Sequence, residues 1–105
     1  MNCMNRMSRM GYRYRFASDV HLHEAKKSLL LAVLAAEGLF GRTRVRMDSI
    51  FAIDKSINVL VIDAGTLVGM TIGLIFTSFL TAEFGDGGFD VRQVEMLSAP
   101  VGAGF

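Results

Sequence analysis

Tryptophan is absent, proline and cysteine each occur once, and the charged residues nearly cancel to a net +1. One cysteine, Cys3, cannot build an internal disulfide framework or a cysteine-rich zinc site, and it fits a reducing compartment, so a cytoplasmic location is expected. Near-neutrality gives no whole-molecule field to steer nucleic acid or anionic lipid, so an electrostatic partner would have to use a local patch. A single proline and scattered glycine exclude a low-complexity chain. With 105 residues the sequence is long enough for one domain with its own core.

What is present is apolar. Residues 57–84, INVLVIDAGTLVGMTIGLIFTSFLTAEF, join a β-branched strand signal to the longest uncharged stretch of the chain. Within it, residues 64–82 are nineteen without a charge, close to the length of a membrane span, and Gly65, Gly69 and Gly73 repeat a GxxxG spacing. The glycines and hydroxyl residues erode an insertion energy of only roughly −2.5 to −5 kcal/mol, and Asp63 and Glu83 border the stretch directly. A small membrane protein spanning at 64–82 is therefore the third reading, behind a helix packed on a sheet.

The remaining elements follow in order. YRYRFA, 12–17, alternates aromatic and basic residues, a half-buried strand with Tyr12, Tyr14 and Phe16 inward and Arg13 and Arg15 outward. Ser18-Asp19 offers a cap for a helix over 20–37 that stops at Gly38 or Gly41. RTRVRMDSIFAI, 42–53, alternates again and reads as one long strand with Arg42, Arg44, Arg46 and Asp48 on one face. The polar turn at 54–56 predicts a hairpin in which Ile53 pairs with Ile57, putting Val59 and Val61 on the core side and Leu60 and Ile62 on the open side. A second helix is expected from about Thr66 to Phe84, and a last strand over 89–96.

The order is β-α-β-β-α-β, the split pattern of ferredoxin-like domains: four antiparallel strands with two helices on one face. The domain is expected over 11–96, between a disordered leader, 1–10, and a disordered tail, 97–105; Met10 offers a second translation start. Two echoing segments, LAAE before Phe40-Gly41 and LTAE before Phe84-Gly85, suggest a duplicated βαβ unit.

Both helices carry apolar residues beyond one stripe, which predicts self-association. The expected open sheet face carries Arg13, Arg15, Arg44, Arg46, Leu60, Ile62 and Arg92, an apolar centre rimmed by arginine that suits a protein partner. Nucleic acid is the alternative, but aromatic residues for base stacking are missing from that face. His21 and His23, with Asp19 and Glu24, form the one cluster of metal-ligand chemistry; helical spacing would point the two histidines apart, and no further histidine completes a site. Asp63-Ala64-Gly65-Thr66 reads as a strand end, a turn and a helix cap. No nucleophile has a base at a suggestive spacing, so neither catalysis nor a cofactor is expected. A self-associating binding or assembly module is the function the sequence favours.

Overall fold

The computed structural model describes residues 9–96. The expected tail and residues 1–8 of the expected leader lie outside the described residues. The elements are β1 (Arg9–Phe16), α1 (Asp19–Phe40), α2 (Arg42–Asp48), β2 (Phe51–Asp54), β3 (Val59–Asp63), α3 (Leu67–Phe84) and β4 (Phe89–Met96). The fold is α+β: an open four-stranded sheet, ordered β2-β3-β1-β4 with every pair antiparallel, and three helices.

β1 starts at Arg9, ahead of the expected Tyr12, and its Met10 carbonyl accepts from Ala64 at the end of β3. Its inward side chains are those the alternation predicts. Tyr14 and Phe16 are buried, Tyr14 lies edge-on to Phe76 with centroids 4.8 Å apart, and Tyr12 packs against the core.

Both long helices begin and end as expected. Ser18 accepts from the His21 amide and Thr66 from the Gly69 amide, each satisfying one orphan donor of a first turn. Gly41 and Gly85, at φ 88° and 78°, end the helices, each amide donating to the carbonyl four residues back. The echoed Phe-Gly pairs therefore occupy equivalent places, the last helical residue and its stop. α1 buries Leu22, Ala25, Leu29, Ala32 and Ala36, an i,i+3,i+4 stripe, and α3 buries Val68, Ile72, Phe76 and Leu80.

Two expectations are corrected. The long strand over 42–53 is a two-turn helix, α2, followed by a short strand. Val45 is its one buried residue, and an i,i+4 pair, Arg44 to Asp48 at 3.6 Å, runs along its surface. The hairpin register is also different. Phe51 pairs with Ile62, Ala52 with Val61, Ile53 with Leu60 and Asp54 with Val59, three residues away from the expected alignment. An odd shift exchanges the two faces of β3. Leu60 and Ile62 consequently lie opposite Tyr14 and Tyr12 and are wholly buried, while Val59 and Val61 share the open face with Arg15 and Arg13.

The connection explains the shift. Asp54 accepts from both the amide and the hydroxyl of Ser56, and these bonds hold its exposed carboxyl below the ordinary range. Asn58 takes a left-handed conformation, φ 56°, which asparagine tolerates better than most residues. Ile57 is thereby spent in the turn rather than in the strand.

Candidate functional site

Two surfaces carry the residues that could recognise something. The first is the open face of the sheet. On β1 it presents Arg13 and Arg15, and on β4 Asp90, Arg92 and Val94, since Arg13 pairs directly with Arg92 and Arg15 with Asp90. Arg92 Nε reaches Asp90 Oδ2 at 3.3 Å along the same strand. Two guanidinium side chains thus stand directly opposite each other with one carboxylate beside them, an arrangement that costs stability unless something anionic comes close.

Of the seven residues expected there, Arg13, Arg15 and Arg92 are brought together. Arg44 and Arg46 are not, because they ride on α2. The Arg44 guanidinium lies 5.0 Å from the Phe40 ring centre and pairs with Asp48. Leu60 and Ile62 leave the list altogether, as core residues beneath the helices. Val61 is the partly exposed apolar residue of β3 on this face; Val59 points the same way but is buried.

The second surface is the outside of the helix layer. On α1, Leu30, Leu31 and Leu34 each keep more than half of their area in solvent, as do Leu67 and Leu74 on α3, with Met70 beside them. At 100° per residue these positions lie opposite the buried stripes of their helices. The α1 leucines were legible as an excess over one stripe. Those of α3 were not separable from its core by sequence, because the helix is apolar on every side.

α3 is the one helix among the described residues long and apolar enough to cross a membrane, with mean hydropathy 1.6 and 33% of that window buried inside the fold. Its glycines have another use. A Cβ on Gly69 would overlap the Asp63 carbonyl oxygen, and one on Gly73 would stand 2.5 Å from the Tyr12 ring. The small-residue spacing seats α3 tightly on β3 and β1, so it serves helix-to-sheet packing inside this domain.

The remaining chemistry is structural. Asp63 Oδ1 accepts from the Gly65 amide and Thr66 donates to the Asp48 carbonyl, so the strand end, turn and cap read from the sequence are what stands there. α1 begins at Asp19, which sets His21 and His23 about 200° apart around the helix. His21 stacks near Phe84 at 5.1 Å, His23 is exposed, and among the described residues no three ligand-type side chains gather as a metal site. A shallow cavity of about 360 Å³ beside them is lined by Asp19, Leu22, His23, Lys26 and Lys55. Among the described residues, Tyr14 is the one strongly perturbed acid. Burial pushes its hydroxyl up to about 12, partly offset by the bond to Thr77.

No protein-family model matches the chain, and no curated protein or solved structure matches it either.

Proposed function

We propose that this protein is a ferredoxin-like assembly module that associates with further copies of itself through the outer surface of α1 and α3. Two central strands, β1 and β3, flanked by β4 and β2, with α1 and α3 as the crossovers, support the ferredoxin-like reading; α2 is an addition to it.

The observation that carries the function is α3. A helix apolar all round belongs in a place buried all round, yet only a third of this one's residues are buried within its own chain. Each half-exposed leucine on α1 and α3 leaves on the order of 1 kcal/mol of burial unrealised. The exposed leucines, with Met70, present the same apolar chemistry on both helices, so a second copy offers the matching surface.

Size-exclusion chromatography with light scattering, on detergent-free protein, tests this. An assembly larger than the 11.5 kDa chain is expected, insensitive to salt and shifted to lower mass by Leu31→Glu with Leu74→Glu. A monomer at about 100 µM, well above the working range of a micromolar contact, overturns it.

A second reading rests on Arg13 and Arg92 facing each other: the open sheet face as a seat for nucleic acid. Co-purifying absorbance at 260 nm, lost with Arg13→Ala and Arg92→Ala and steeply salt-dependent, would favour it.

A further inference from the structure

The two edges of the sheet are unequal. β2 has four residues, is entered directly from α2, and is followed by Lys55 and a tight turn. Short length and charge are the usual ways of making an edge unattractive to another strand. β4 is long, and its charges are of both signs, so they can be paired rather than only repelled. Its eight residues hold an unbroken register with β1 from Phe89↔Phe16 to Met96↔Arg9, without proline, lysine or bulge. Its outer side has no strand partner among the described residues. Its side chains are also open: Val91, an apolar residue, keeps 38% of its area in solvent.

We infer that β4 pairs antiparallel with β4 of a second copy, about a two-fold axis through Val91, to make one continuous eight-stranded sheet. Charge selects this register. A two-fold axis perpendicular to the sheet keeps each residue on its own face, so the axis must pass through a residue rather than between two. Centred on Arg92 it would set arginine against arginine, and centred on Asp90 aspartate against aspartate. Centred on Val91, Arg92 of each copy faces Asp90 of the other. Two reciprocal opposite-charge pairs then form on the open face.

The same axis places Val91 against Val91 on the helix side, covering the exposed valine, and Phe89 against Gln93. It also brings a second carboxylate to the Arg13–Arg92 pair, which the monomer leaves with one. This contact uses none of the leucines on the helix surface and stands independently of what that surface does.

Charge reversal gives the test. Arg92→Asp and Asp90→Arg should each weaken this contact about ten-fold, because each puts like charges opposite twice over. Mixed one to one, the two variants should pair with each other, since every facing position is again of opposite sign. A merely unfolded variant could not be rescued in this way.

Val91→Cys in a Cys3→Ser background supplies the register. Residue 91 lies directly opposite its symmetry mate, with Cα atoms roughly 4.5–5.5 Å apart, so mild oxidation should give a covalent dimer. Val94→Cys is the control, since its mates stand six residues or about 20 Å apart. Both experiments are repeated with Leu31→Glu and Leu74→Glu present, where the cross-link should persist. Failure of the mixture to pair, or equal cross-linking at 91 and 94, overturns the β4 contact. Loss of cross-linking only when the leucines are changed would overturn its independence and leave the helix-surface association standing.

Discussion

The ring of Tyr12 lies against Gly73, close enough that a Cβ there would stand 2.5 Å from it. One turn earlier, Gly69 meets the main chain of Asp63. The two glycines therefore face obstacles of different stiffness. Alanine is the better helix former by about 1 kcal/mol, but at Gly69 the backbone of β3 must move to admit it. Gly69→Ala should cost roughly 2–3 kcal/mol in urea unfolding, and Gly73→Ala less than half of that, because a ring can turn aside.

Tyr14 gives the fold an alkaline limit. Its hydroxyl lies 2.7 Å from Thr77 Oγ1 and donates to the Gly73 carbonyl at 3.2 Å, deep under α3. With the folded pKa near 12 against an ordinary 10.0, the folded state resists ionisation. The contribution is complete below pH about 10 and disappears as pH rises towards about 12, at up to roughly 1.4 kcal/mol per pH unit. Stability measured against pH should show this decline, and Tyr14→Phe should remove it while costing about 1 kcal/mol at neutral pH.

The register of β3 is open to a direct comparison of neighbours. Leu60→Ala should cost roughly 2–5 kcal/mol, since it empties a site under the helices. Val61→Ala, on the open face, should cost less than about 1 kcal/mol. The opposite ranking in chemical denaturation would restore the alignment of Ile53 with Ile57.

Arg13 opposite Arg92 is a repulsive cross-strand pair. Replacing one partner by the opposite charge should stabilise the isolated domain: Arg13→Glu is expected to add roughly 0.2–1 kcal/mol at low salt and nothing at high salt. Thermal melts at two ionic strengths are sufficient to see it.

Thr66 holds two elements at once, accepting from the Gly69 amide at 3.0 Å and donating to the Asp48 carbonyl at 2.9 Å. Thr66→Val keeps the shape and loses both bonds, so it should cost roughly 1–2 kcal/mol, whereas Thr66→Ser should cost a few tenths. Hydrogen exchange of the α2 amides should rise in the valine variant alone.

Helix caps and stops were the most legible features. Ser18, Thr66, Gly41 and Gly85 mark helix ends by local chemistry, which needs no knowledge of the rest of the chain. The faces of β1 were legible because its aromatic and basic residues alternate. α2 was not, since Arg42, Arg44 and Arg46 also recur every second residue, and two helical turns are too short for a 3.6 period to outweigh that. β3 had no face signal at all: Val59, Leu60, Val61 and Ile62 are all apolar, so the turn alone decided the register, and the left-handed Asn58 extended that turn beyond 54–56. The expected open face inherits both differences through Arg44, Arg46, Leu60 and Ile62. Arg13, Arg15 and Arg92 stayed in place because the strands that hold them alternate clearly or pair along their whole length.

The inequality of the sheet's two margins also governs stoichiometry. When two β4 strands join about Val91, residues 89–93 of each copy pair with 93–89 of the other, and the new sheet is bounded on both sides by a four-residue β2. Each boundary is a shorter strand followed directly by Lys55, a poorer template for a third copy. Growth along the strand-to-strand direction therefore halts at two, and the same asymmetry that invites a partner protects the chain from fibrils.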